Sequence, residues 1–312
     1  MKVSIFTARF GGPCEWGRGL DRELTRAGVT TTHAHSYAKI LLNAMRTDAD
    51  VVHTTIPLPP TMRVWHTPVL LTVQGDFTIE RNIVLRYPST IRKATVITTS
   101  SQYIKDKVPL PPDTTVIPNA VSMERFKPTK HGTRYKLNLV TVMNFYFWNK
   151  CRGVIDIIDA LRRSSTANFR YVVVGDGPYR RDVEKHAASS GLDIIFCGQL
   201  EDTSLVLSYS DLFLYCTYQD SFPNVLVEAM SSKLPVLVNS WGGMGGIVNH
   251  GEDGLIAVNM DEYSKYLDML LADTAYRSRL GEQARCSVER KYSWSVVAKR
   301  FMDIYERILD ER

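Results

Sequence analysis

Two carboxylates, Asp220 and Glu228, stand eight positions apart on either side of a Pro-Asn corner in the stretch QDSFPNVLVEAM, residues 219–230. The apolar run DLFLYC precedes the corner and VLVEAM follows it, so the stretch reads as the passage from a strand into a helix. With Pro223 at the first helical position, the N–H groups of Asn224 and Val225 would point outward. A helix start of this kind attracts phosphate or a partly negative sugar oxygen. At about 1.5 Å of rise per helical residue, the two carboxylates lie farther apart than a glycosidase pair needs. Each could accept hydrogen bonds from a sugar diol. The residues alone leave a second reading open, in which Asp220 caps the helix and Glu228 is a solvated helical side chain.

Cations come next, because a phosphate drawn to such a helix start needs positive charge near it. Lys150 and Arg152 in VTVMNFYFWNKCRGVIDII stand at a helix start, where a cation opposes the dipole and so suggests another purpose. Either could serve, with Lys150 the stronger choice. Gly175 and Gly177 in VVVGDGPYRRDVE follow a strand directly and permit close backbone approach of a ligand. Asp48-Ala49-Asp50 spells DxD, a manganese-binding pattern, but it runs straight into the strand VVH and reads as a turn. His33 and His35 have no cysteine or carboxylate set nearby to complete a metal site, so they read as surface histidines and no metal or other cofactor is expected.

The elements that must carry these residues are short apolar runs alternating with helical patterns. KVSIF, DVVH, PVLLTV, TVITT and TTVIP precede residue 130; LNLVTVM, FRYVVVG, DIIFCG, DLFLYC and LPVLV follow it. Continuously apolar strands separated by helices predict parallel sheets covered on both faces. At 312 residues the chain exceeds the usual size of one core, and the polar stretch at 124–136 is the expected linker. This predicts an N-terminal domain over 1–130, a second domain over 131–292, and a terminal amphipathic helix over 293–312 that returns to the first domain. Val296, Phe301, Ile304, Tyr305 and Ile308 mark the expected buried face of that helix.

Apolar content of 44% and charged content of 23% are ordinary for a globular protein, and five scattered cysteines suit a reducing cytoplasm better than a disulfide framework. The opening MKVSIFTARF is too interrupted for a secretory leader and reads as a first strand. Residues 1–130 hold 17 Lys and Arg against 10 Asp and Glu, while residues 131–312 hold 21 against 23. A basic first half suits an anionic substrate or lipid surface, and uneven solvation accounts for it equally well. No recognisable nucleic-acid module is present.

The corner motif and its surroundings resemble the retaining glycosyltransferases of family 4, which have the GT-B fold. That family carries Glu, seven residues, Glu, then Ala-Met and a Gly-Leu-Pro-Val type strand. This chain reads Asp220, seven residues, Glu228, Ala229, Met230 and then SSKLPVLVNS. The resemblance implies an α/β chain of two Rossmann-like, doubly wound domains facing each other across a cleft. It implies that Glu228 holds the ribose of a nucleotide-sugar, that Asp220 meets the donor hexose, and that Phe222, Pro223, Asn224 and Val225 wrap the sugar and diphosphate. It puts Asn144 and Lys150 where the family's Arg and Lys grip the diphosphate, Leu200 at the base, and Gly175 and Gly177 in the equivalent glycine loop. Gly11 and Gly12 resemble the glycine loop beside donor phosphate and acceptor, and Gln74 stands for the family's active-site His. Asp76, two residues on, is the catalytic candidate left in that loop, beside Asp220 and Lys150. Gly246 stands where a donor-side Glu is usual.

The implied activity is metal-independent, retaining transfer of a hexose from a UDP- or GDP-sugar to a glycan or lipid-linked acceptor. The implied location is the cytoplasm, peripheral to the inner membrane face. The changes at Gln74, Asn144, Asp220 and Gly246 keep open a non-catalytic sugar-nucleotide-binding partner subunit. A dehydrogenase is disfavoured, because no strand is followed by GxGxxG with an acidic residue about 20 positions on.

Overall fold

Strands that are apolar on both faces need cover on both, and the computed structural model builds them into two parallel sheets. It describes residues 1–9, 11–36, 39–40, 48–79, 86–129, 136–165 and 168–311. The chain divides into two compact units, one of Met1–Ala120 with Tyr292–Arg312 and the other of Val121–Lys291. The sequence-based boundary at 130/131 and residues 130–135 of the expected linker lie outside the described residues. Residues 121–126 belong to the second unit because Ser231 Oγ and Arg285 Nη1 both donate to the carbonyl of Phe126, at 2.6 and 2.8 Å.

The first unit runs β1 (Lys2–Phe6), α1 (Gly12–Arg26), β2 (Thr30–Ala34), β3 (Val51–Thr54), β4 (Val69–Val73), α2 (Tyr87–Lys93), β5 (Val96–Thr99), α3 (Gln102–Lys107) and β6 (Thr115–Val116). Its sheet order is β2-β1-β3-β4-β5-β6. Strand β2, TTTHA, has no apolar run to announce it; it alternates in burial because it lies on an edge.

The second unit runs β7 (Leu137–Val142), α4 (Trp148–Arg163), β8 (Phe169–Val174), α5 (Arg180–Ala188), β9 (Ile194–Gly198), α6 (Ser204–Ser208), β10 (Leu212–Tyr215), α7 (Asn224–Ser231), β11 (Val236–Asn239), β12 (Leu255–Ala257), α8 (Met260–Ala272) and α9 (Thr274–Lys291). Its order, β12-β11-β10-β7-β8-β9, reverses direction between β10 and β7. Loops leaving the carboxyl ends of those two strands diverge, and such a switch point is where doubly wound sheets hold ligands.

The last helix, α10 (Trp294–Asp310), belongs to the first unit and lays Val297, Phe301, Ile304, Tyr305 and Ile308 against Trp16, Leu20 and Leu24 of α1. Val297 takes the buried position expected of Val296, a one-residue rotation of the face. Under it, the imidazole of His53 lies between the Tyr305 hydroxyl and Thr72 Oγ1, each 2.6 Å away. Complete burial drives the His53 pKa down to about 3, so it is held neutral.

Candidate functional site

Strand β10 ends in Tyr215, and the chain then turns through residues 216–223 into α7. Strand β7 ends beside it, and the first turn of α4 brings Lys150 to the same rim. There Asp220 Oδ2 accepts from Lys150 Nζ at 2.6 Å and from the Tyr215 hydroxyl at 2.8 Å. The Lys150 and Asp220 side chains are only 16% and 12% exposed, so this is a largely desolvated pair and not a screened surface bridge. Burial and the neighbouring Asp220 charge raise the Tyr215 pKa well above its ordinary value, which keeps the phenol a donor. The capping alternative for Asp220 is thereby set aside.

Pro223 is the residue before the first helical one, with φ −71° and ψ 105°, instead of the first itself. The helix starts at Asn224, and Glu228 follows one turn later on a half-buried flank. Burial pushes its pKa up to about 7, against the pull of the Arg125 charge and a hydrogen bond from Thr203. Glu228 is therefore no freely solvated helical carboxylate. Arg125 reaches this corner because its guanidinium is fixed on Asp202 Oδ1, at 3.1 and 3.2 Å, in the loop that follows β9. Leu200 lies in that same loop and is exposed.

Two glycine segments turn out to shape the rim from behind. A Cβ on Gly243 would come 1.8 Å from the Ser221 carbonyl oxygen, and one on Gly242 would come 2.1 Å from that of Asp220. Only glycine lets this loop after β11 support the Asp220 turn. Gly175 and Gly177 behave likewise: their Cβ positions would strike Met143 O at 1.7 Å and the Phe145 carbonyl carbon at 2.5 Å. The Cβ side of each glycine is thus taken by the protein's own backbone.

Of the cations, Lys150 is the one on Asp220. Arg152 is exposed and stacks over the Tyr218 ring at 4.7 Å, with the Tyr218 hydroxyl donating to Asp156 at 2.7 Å. Asn144 is exposed at the end of β7, Phe222 and Pro223 are buried, and Asn224 and Val225 are half-buried in the α7 start.

The first-unit candidates have their own partners. Asp76 accepts from the backbone N–H of Thr78 at 3.0 Å and from its hydroxyl, and lies 3.3 Å from Lys107 Nζ. It folds a turn after β4. Gln74 donates its amide to Asn119 Oδ1 at 3.3 Å, while Gly12 opens α1 after Gly11, whose φ of 79° suits glycine. Asp48 and Asp50 both bind the N-terminal strand, through the Lys2 ammonium at 2.5 Å and the Lys2 N–H at 2.8 Å. His33 packs half-buried with Nε2 2.9 Å from Thr7 Oγ1, not on the open surface.

Sequence reasoning missed Tyr215, Arg125 and Thr203. Tyr215 sits in a run that is buried throughout, where periodicity cannot mark the one ring whose hydroxyl faces the site. Arg125 falls in the polar stretch taken for a linker.

Two six-stranded parallel α/β units, with a Lys-Asp-Tyr cluster at the switch point of one of them, define a chain of the GT-B class. The chain belongs to the family described as glycosyl transferases group 1, which matches residues 124–286. It is 26% identical over 208 residues to the phosphatidylinositol N-acetylglucosaminyltransferase GPI3 subunit of Saccharomyces cerevisiae, covering 62% of this chain and 45% of that protein. The chain thus spans under half the length of the curated relatives it matches first. Among solved structures, sucrose-phosphate synthase from Thermosynechococcus elongatus is similar over 100% of both chains, with a TM-score of 0.82 and 16% identity. Anabaena Alr3699/HepE in complex with UDP and glucose matches over 98% of this chain and 100% of its own, with a TM-score of 0.77 and 15% identity. Among the described residues no helix is long and apolar enough to cross a membrane.

Proposed function

We propose that the chain is a retaining glycosyltransferase that moves a hexose from a UDP- or GDP-sugar to a glycan or lipid-linked acceptor. The observation that carries this reading is the Lys150–Asp220 pair at the switch point, with Glu228 one helical turn beyond the corner that Asp220 begins. Lys150 has three N–H donors and gives one to Asp220, so it can also serve the oxygens of a leaving diphosphate. Asp220, steadied by Tyr215, accepts hydroxyls of the donor hexose, and ionised Glu228 accepts the ribose diol. Catalysis is positioning and charge stabilisation, with the donor phosphate taking the acceptor proton. Positive charge from Lys150 stands in for a metal, so turnover should survive EDTA. The basic first half supports an anionic or lipid-linked acceptor at a membrane face.

The test is nucleotide release from a panel of UDP- and GDP-sugars, with candidate acceptors and with EDTA added. Release that is lost in Glu228→Ala and Lys150→Ala supports the reading. Nucleotide binding without release from any pair would instead favour a sugar-nucleotide-binding partner subunit.

A further inference from the structure

Four aromatic side chains near the ends of two adjacent strands of the second sheet are exposed. Tyr146, Phe147 and Trp148 follow β7, and Tyr179 follows β8, with exposures of 61, 47, 44 and 37%. The Trp148 and Tyr179 ring centroids are 5.7 Å apart, with the planes tilted by 59°. Their two loops are fastened together: Phe145 donates its N–H to Asp176 O at 3.0 Å, and Tyr179 donates to Phe145 O at 3.1 Å. Phe145 itself is fully buried beneath them and anchors the pair. Isolated exposed apolar residues are ordinary, whereas four aromatic rings on two tied loops mark an interaction surface.

Charge narrows the occupant. Arg180 is shared between Asp176 at 3.5 Å and Glu184 at 2.7 Å, Lys150 is on Asp220, and Arg152 stacks on Tyr218. Arg181 beside them is exposed, but Asp176, Asp182 and Glu184 outnumber the two arginines of residues 176–184, so this border carries no surplus of positive charge. That balance is wrong for an anionic bilayer or a nucleic acid, both of which select surplus positive charge. It suits a neutral ring with an apolar C–H face and a hydroxyl edge. Tyrosine and tryptophan offer the complement, a flat apolar face with a polar tip. The platform also adjoins the candidate site, since the Phe147 carbonyl accepts the N–H of Lys150 at 3.0 Å.

We propose that Tyr146, Phe147, Trp148 and Tyr179 form a stacking platform for a pyranose ring of a glycan, beside Lys150. Its role as an acceptor subsite rests on the transferase reading above; glycan binding itself does not. The experiment probes a glycan array with the full chain, then titrates the strongest-bound oligosaccharide, and separately UDP and GDP, into wild type, Trp148→Phe and the double variant Tyr146→Ala/Trp148→Ala. The expected result is glycan binding by wild type, at least tenfold weaker in the double variant and largely kept by Trp148→Phe, with nucleotide affinity within twofold of wild type throughout. Unchanged melting temperatures show that exposed rings, not the fold, were altered. The proposal is overturned if wild type binds no glycan, or if the double variant binds it equally well. It is also overturned if nucleotide affinity falls in parallel, marking a base platform, or if the sole defect is lost binding to vesicles of phosphatidylglycerol and phosphatidylcholine. Failure of wild type to bind either nucleotide would sink the transferase reading and leave the glycan result standing.

Discussion

The Lys150 ammonium meets the Asp220 carboxylate at 2.6 Å, although 70 residues separate them in the chain. The reversal of strand order between β7 and β10 brings them together, so the pair is a product of topology. Breaking a buried pair from one side leaves the other charge without compensation, at a cost of roughly 3 kcal/mol where some water remains. Lys150→Met and Asp220→Asn should each lower the unfolding free energy, while the double variant should lose less than their sum. Urea titrations of the four proteins give the coupling energy. Tyr215→Phe removes one donor to the same oxygen and should cost about 1.5 kcal/mol.

If Glu228 holds the ribose as proposed, nucleotide affinity should depend on pH. Its pKa of about 7 in the folded chain lies above the ordinary 4.5, so the folded state holds a proton that the unfolded state releases between those values. Its contribution to stability is therefore full below pH 4.5 and is lost as pH rises through 7. Ribose hydroxyls donating into Glu228 need the ionised form, so nucleotide affinity should run the other way and strengthen from pH 6 to pH 8. Calorimetry across that range should show the rise in wild type and a flat profile in Glu228→Gln.

Gly243 and Gly245 offer a paired control. A Cβ at Gly243 would collide with Ser221 O at 1.8 Å, whereas one at Gly245 meets nothing within 4 Å. Gly243→Ala should displace the Asp220 turn, weaken nucleotide binding at least tenfold, and cost a few kcal/mol of stability. Gly245→Ala should leave both within error. Thermal melts and nucleotide titration on the two variants read the difference.

Much of the fold was legible because fully buried parallel strands announce themselves as unbroken apolar runs. KVSIF, FRYVVVG and LPVLV are strands where the runs predict them, while TTTHA, an edge strand, offered no such signal. The site was legible in part. Asp220, Glu228 and Lys150 stand out as charges beside strand ends, and the structure gathers Asp220 and Lys150 at one rim. Tyr215 was hidden within a buried run, and Arg125 within a polar stretch. Gly175 and Gly177 show that a sequence marks where a glycine permits close approach, while the structure shows the backbone of Met143 and Phe145 on their Cβ side.

His53 should weaken the first unit in acid. Its pKa falls from 6.5 to about 3 on burial, so below pH 6.5 the unfolded chain takes up a proton that the folded chain refuses. Stability contributed by keeping it neutral is full above pH 6.5 and is lost as pH falls toward 3, with a slope approaching about 1.4 kcal/mol per pH unit. His53→Gln should flatten that slope. Urea midpoints at stepped pH measure it.

The central claim is that Lys150 and Asp220 serve the transfer of a nucleotide-activated sugar. Nucleotide release from UDP- and GDP-sugars in the presence of acceptor, compared between wild type and Lys150→Ala, tests it most directly. Wild type should release nucleotide from at least one donor, with a fall of 100-fold or more in the variant. No release from any donor, or undiminished release by Lys150→Ala, would contradict it.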